Sequence, residues 1–117
     1  MKDVINYIEL ENEKYPVVFN LNVMEEIQEH YGSMQKWAEA TAGDGEPVIK
    51  DIKAGLMAMI NEGIDIENEA KGENKPFITS KKVGRIISEA GFDAIMGTIR
   101  GITVASTETG EEELKNE

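Results

Sequence analysis

Apolar and polar residues change rhythm along this chain, and each change marks an element. From residue 4 to 10 they alternate, with Val4, Asn6 and Ile8 on one face and Ile5, Tyr7 and Glu9 on the other, as in a half-buried strand. The polar residues 11–14 turn the chain back. Val17, Val18 and Phe19 then favour a second strand, because β-branched and aromatic side chains pack well on a pleated surface. The pair reads as a β-hairpin, and since an isolated hairpin is marginal in water, its apolar face must lie on helices. Near residue 22 the period lengthens. Asn22 followed by Glu25 has capping-box character, so a helix is predicted from about Val23 to Tyr31. Val23, Met24, Ile27 and Tyr31 share one side of it, while Glu25, Glu26, Gln28 and Glu29 fall mostly on the other. Gly32 suits the left-handed position that closes such a helix.

Ser33 is a natural N-cap for a short second helix carrying Met34, Trp37 and Ala38. Residues 41–47 hold two glycines and a proline and read as a loop. A third helix is predicted over 48–62, with Ile49, Ile52, Leu56, Met59 and Ile60 on one face and Gly63 as its stop. Residues 64–75 are polar and acidic, a mobile loop or one helical turn, with Gly72 and Asn74 marking the exit. Thr79 or Ser80 caps a fourth helix with the stripe Val83, Ile86, Ile87 and Ala90. Gly91 separates it from a fifth, carrying Phe92, Ile95, Met96, Ile99 and Ile102. Gly84 and Gly97 fall inside these helices at up to about 1 kcal/mol each relative to alanine, which close helix packing or a hinge would explain. Residues 106–117 contain one leucine, too little to offset the entropy of ordering them, and read as a disordered acidic tail. The predicted fold is mainly α with a small N-terminal β-hairpin (α+β): a compact bundle of about four to five helices in a single domain over residues 1–105.

Charge narrows the function. Twelve Lys and Arg against 23 Asp and Glu give a net charge of -11, which repels nucleic acid and anionic lipid and favours solubility or a basic partner. The absence of cysteine removes disulfides, thiolate metal sites and thiol nucleophiles, and fits a reducing interior. The N-terminus lacks the apolar run of a signal peptide, and no apolar stretch approaches the roughly 20 residues of a membrane span. A soluble intracellular protein with no nucleic acid and no membrane partner is expected.

No residue pattern points to chemistry. His30, the only histidine, stands near Glu26, but a metal site would need a second ligand of its kind; at a helix C-terminus it simply suits the dipole. Residues 65–70 imitate the start of an EF-hand loop but place Ala70 where glycine is needed and Pro76 where a bidentate glutamate belongs, so a solvated acidic loop is the default. Gly43-Asp44-Gly45 is too short for a dinucleotide loop, and neither a P-loop nor a nucleophile elbow occurs. No pair of carboxylates stands out. The expectation is therefore no catalytic residue, no cofactor and no metal. Two residues are candidates for partner binding. Trp37, the only tryptophan, belongs to the type enriched in interface hot spots, with packing between the first two helices as the ordinary alternative. Met57 lies off the stripe of the third helix and is the methionine expected to be exposed, whereas Met24, Met59 and Met96 read as core filling.

The hairpin and the run 15–32 resemble the tail assembly chaperones of long-tailed bacteriophages and prophages of Gram-positive bacteria. The stretch 52–63, Ile-Lys-Ala-Gly-Leu-Met-Ala-Met-Ile-Asn-Glu-Gly, is similar to that family's central helix, and 78–88 is similar to its Thr- or Ser-capped helix containing Val-Gly. The resemblance spans roughly residues 4–105. It implies a non-enzymatic protein of the host bacterium's cytoplasm that binds the tape measure protein and the tail tube protein and is absent from the mature virion; the sequence leaves open whether it acts as a monomer or as a homo-oligomer assembled along its client. In many relatives a ribosomal frameshift appends a second domain, for which an acidic tail offers an attachment point. Two other readings stand beside it. A small acidic inhibitor or nucleic-acid mimic would present a contiguous negative face to a basic protein. A structural connector of the tail would be found in purified particles.

Overall fold

The computed structural model describes residues 5–42 and 48–115, with the backbone alone at residues 40, 42 and 104–115. Strands β1 (Asn6–Glu9) and β2 (Lys14–Val17) form an antiparallel hairpin in which Ile8 faces Tyr15 and Tyr7 faces Pro16. Five helices follow: α1 (Leu21–Tyr31), α2 (Met34–Ala42), α3 (Ile49–Lys71), α4 (Ser80–Ala90) and α5 (Phe92–Lys115). The mainly helical fold with a small N-terminal hairpin is thus observed. The Cα radius of gyration, 14.2 Å, is close to the roughly 13 Å of a compact domain of this size.

Helix α3 is the axis, and β2, α1, α2 and α4 all pack against it. Ile52, Leu56, Met59 and Ile60 are fully buried along it, as their spacing predicts. Ile49 is the exception: it belongs to the same stripe yet is 53% exposed. Residues 15–20 cross α3 entirely buried, and the Val18 N–H donates to the Met59 carbonyl (3.1 Å), using that oxygen's second lone pair.

The termini of the helices correct several sequence readings. Asn20, not Asn22, caps α1, its Oδ1 accepting from the Val23 N–H at 3.2 Å, while Asn22 is exposed. Gly32 closes α1 in the left-handed conformation (φ 89°) as expected. Ser33 accepts from the Lys36 N–H, and Thr79 rather than Ser80 accepts from the Lys82 N–H, so both predicted hydroxyl caps are present. Thr41, expected in the loop, is inside α2 with its hydroxyl donated to the Trp37 carbonyl (2.8 Å); residues 43–47 of that loop lie outside the described residues.

The largest correction concerns Gly63. It does not stop α3, which runs on to Lys71 and ends at Gly72 in the left-handed region (φ 64°). The stretch 64–71 is therefore helix, not loop, and Ile64 and Glu67 are buried in it. Gly63 is a point of close approach: a Cβ there would stand 2.9 Å from the Pro16 Cβ and 3.0 Å from its carbonyl oxygen. Residues 73–79 return without regular structure and are pinned to α3 by two asparagines. Asn61 accepts from the Ile78 N–H (2.8 Å) and donates to the Ile78 carbonyl (3.3 Å), and Asn68 does the same with Lys75 at 3.0 Å for each bond.

Helix α5 extends to Lys115, through most of the segment for which composition predicts a disordered acidic tail. Propagating an existing helix adds a hydrogen bond for each residue fixed, whereas nucleating one does not, and Glu, Leu and Lys are good helix formers. A division between a domain over 1–105 and a tail over 106–117 turns on side-chain packing, and the side chains beyond Thr103 lie outside those described.

Candidate partner-binding surfaces

Among the described residues, concave surfaces border α3. The first is a broad, open groove of about 850 Å³ between the first turns of α3, the flank of α4 and the start of α5. On α4, Lys81, Gly84, Arg85 and Ser88 recur at helical spacing and form one wall. Ile49 and Lys53 of α3 form the other, and Ile87 with Phe92 closes the floor. Val83 and Ile86 hold α4 in place by full burial on its opposite side. The groove carries three cations against the single carboxylate of Glu89, an inversion of charge on a chain of net -11.

The second groove, about 310 Å³, lies between α1, α3 and the pinned segment 73–79. It is acidic, with Glu26, Glu62 and Asp65, and is bordered by Phe77, which is 58% exposed. Glu62 Oε2 is buried there with no hydrogen-bond partner among the described residues. Among the described residues, no group of three or more histidines or carboxylates is arranged to hold a metal ion.

The third is a narrow cleft of about 80 Å³ between α1 and α3, and it contains Met57. Met57 is half-buried and faces Ile27, His30 and Tyr31, so its apolar end is only partly presented to solvent. His30 itself is exposed and meets Tyr31 edge-on at 5.1 Å. Trp37, the other candidate, is 4% exposed and lies against α3, with its indole N–H donated to the Asp51 carbonyl (3.1 Å) and its ring over Gly55. The structure does not bring Trp37 and the broad groove together. The acidic stretch 65–70 that imitates an EF-hand is continuous helix, while the Gly43-Asp44-Gly45 turn lies outside the described residues.

Two tyrosine–carboxylate hydrogen bonds join elements of the fold. The Tyr31 hydroxyl donates to Asp51 Oδ1 (2.9 Å), tying α1 to α3; burial, then the hydrogen bond and the nearby negative charge, push its pKa up to about 12. The Tyr7 hydroxyl (3.0 Å) and the Lys71 ammonium (3.3 Å) both donate to Glu67 Oε2, tying the hairpin to the last turns of α3. Burial pushes the Glu67 carboxyl upward, but the two donors and the neighbouring lysines outweigh it and hold the group below its ordinary range.

Sequence reasoning missed the broad groove. Its only signal was Gly84 within a run of cations at helical spacing, since which stripe a neighbour leaves uncovered depends on how α4 and α5 pack. No helix among the described residues is long and apolar enough to cross a membrane. Comparison with family models, with curated proteins and with solved structures gives no match for this chain.

Proposed function

We propose that this protein is a tail assembly chaperone of a long-tailed phage or prophage of Gram-positive bacteria. In this reading it acts in the host cytoplasm without catalysis, holds the tape measure and tail tube proteins soluble, and leaves before the virion is complete. The observation that carries the reading is the open groove in which Ile49 and Phe92 reach solvent between the cations of α3 and α4. Broad, apolar and open, such a surface suits a helical segment better than a small molecule, which is normally enclosed on most sides. A tape measure protein is long, helical and rich in apolar positions that aggregate until the tube covers them. A charge of -11 would keep a complex with it in solution.

Two of the three segments that carry the family resemblance add to this. Residues 15–32 form a strand-to-helix unit closed by Gly32, and of 78–88 the part from Ser80 on lies in α4, which Thr79 caps. The segment 52–63 departs from the pattern, since α3 continues past Gly63.

The acidic groove of Glu26, Glu62 and Asp65 favours a second reading, an inhibitor or nucleic-acid mimic docking on a basic protein. Co-expression with the tape measure and tail tube proteins of the same genome, followed by pull-down and size exclusion, separates the two. Soluble co-purification of a tape measure protein that precipitates alone supports the chaperone. Retention of a DNA-binding protein instead, lost as salt rises, supports the mimic.

A further inference from the structure

We infer that the groove between α3 and α4 is a docking site for an amphipathic helix whose apolar stripe is flanked by carboxylates. Its basis lies in three features of the groove. The apolar stripe of α3 continues one turn beyond its own cover: Ile52 and Leu56 are fully buried, whereas Ile49, on the same face, is 53% exposed into the groove. A helix laid there completes the stripe that α4 and α5 leave unfinished. The walls then select the sign of the partner's flanks. Lys53, Lys81 and Arg85 border the groove, and none of them joins an ion pair among the described residues, in contrast to Lys71, Lys75 and Lys82. Glu89 is the one carboxylate beside them, so a partner with acidic flanks meets an excess of unpaired positive charge.

The third feature is Gly84. A Cβ at this position would meet nothing tighter than the flexible end of Lys53, 3.4 Å from Nζ and 3.5 Å from Cε. Packing inside the protein does not demand a glycine there. Its effect is to leave the α4 wall low between Lys81 and Arg85, where the backbone of an incoming helix can approach. A phosphate chain is a poor occupant, because the floor of Ile49, Ile87 and Phe92 is apolar and the surrounding protein is strongly negative. A second copy of the chain brings the same net charge of -11 and is disfavoured over most of its surface.

The inference rests on the chaperone reading only for whose helix is bound; the groove's selectivity stands apart from it. The probe is a labelled synthetic peptide with leucines at helical spacing and glutamates on both flanks, compared by fluorescence anisotropy with an isomer carrying lysines instead. The native chain is expected to prefer the glutamate form, with binding that weakens as salt rises. The exposed pair Lys81→Glu/Arg85→Glu is expected to weaken that binding about tenfold or more and to reverse the preference. Gly84→Leu is expected to abolish binding of both peptides while the thermal melt is retained. Should the leucine unfold α4, the charge-reversed pair still decides.

Equal or tighter binding of the lysine peptide by the native chain, or no effect of reversing the two charges, overturns the inference. A native dimer that the glutamate peptide dissociates and the charge reversal abolishes places a second copy in the groove, and overturns the choice of occupant. Tail proteins that co-purify equally with the native and charge-reversed chains leave the chaperone reading standing while sinking the groove. The expected peptide preference without retention of any tail protein does the opposite.

Discussion

Gly63 and Pro16 meet where β2 crosses α3, at a distance that leaves no room for a side chain: a Cβ on Gly63 would lie 2.9 Å from the Pro16 Cβ and 3.0 Å from the Pro16 carbonyl oxygen. The neighbouring Val18 N–H is bonded to the Met59 carbonyl one helical turn earlier, so strand and helix cannot separate locally without losing that bond. Gly63→Ala should therefore destabilise the protein. Alanine returns up to about 1 kcal/mol of helix propensity, but overpacking against backbone that cannot yield typically costs 1–3 kcal/mol, giving a net loss of up to about 2 kcal/mol. Urea denaturation followed by circular dichroism measures it, and a higher midpoint would refute the close-approach account.

The same substitution should have the opposite sign at Gly97. It lies within α5, and a Cβ there would meet nothing within 4 Å, so neither close packing nor a positive φ requires a glycine. Gly97→Ala should stabilise by about 0.5–1 kcal/mol, from the entropy that glycine loses in a helix. Gly84→Ala should do the same to a similar extent, because its Cβ would make ordinary contact with Lys53. Melting temperatures of the two variants test this, and a fall in either would mean that glycine has a packing role there after all.

These glycines explain where the chain was legible from its sequence and where it was not. Local signals were sufficient for the hairpin, the left-handed Gly32, the Ser33 and Thr79 caps and the stripes Val83–Ile87 and Ile52–Ile60, because each depends on residues a turn or so apart. Gly63 reads locally as a stop, and only the crossing of Pro16, forty-seven residues earlier in the chain, makes it a contact. Asn22 offers the better capping box, yet Asn20 caps, because the buried run 15–20 delivers Asn20 to the start of the helix. The broad groove escapes for a related reason. Ile49 has core periodicity, and nothing within α3 records that α4 stops short of covering it.

Asn61 holds the segment 73–79 by reading both backbone groups of Ile78, as a neighbouring strand would. Asn61→Ala leaves two partly buried backbone groups without partners, a loss of about 1–3 kcal/mol. Asn68 makes the equivalent pair with Lys75 at an exposed position where water substitutes, so Asn68→Ala should cost less. Hydrogen exchange should speed up at Ile78 in the first variant and at Lys75 in the second. Unchanged exchange at Ile78 in the Asn61 variant would show that other contacts pin the segment.

Trp37 offers an optical test of how α2 is seated. Its ring lies over Gly55, where a Cβ would stand 2.8 Å from Cε2, and its indole N–H is donated to the Asp51 carbonyl. As the only tryptophan, at 4% exposure, it should emit at short wavelength in the native protein. Gly55→Ala has to displace the ring, and the emission should shift to the red with a loss of about 1–3 kcal/mol from overpacking. Retention of the native emission and midpoint would place the indole elsewhere.

Tyr31 and Glu67 contribute to stability at opposite ends of the pH range. The pKa of Tyr31 is raised to about 12 from 10.0, first by burial and then by its bond to Asp51, so folding favours the protonated phenol. That contribution is fully present below pH 10 and is lost as pH rises from 10 towards 12. Glu67 has the opposite sign: its folded pKa lies below its ordinary value of 4.5, so its contribution is present above pH 4.5 and disappears as pH falls through the folded value. Tyr31→Phe should flatten the alkaline decline of the urea midpoint and leave the acid side alone, whereas Glu67→Gln should flatten the acid decline and also part of the alkaline one, because the bonds to Glu67 raise the pKa of Tyr7 and of Lys71. In both variants the midpoint at neutral pH should fall, since each removes a hydrogen bond between α3 and another element. Midpoints measured at intervals between pH 3 and pH 12 decide the matter: an alkaline decline in Tyr31→Phe as steep as in the native chain would assign that limb to other groups.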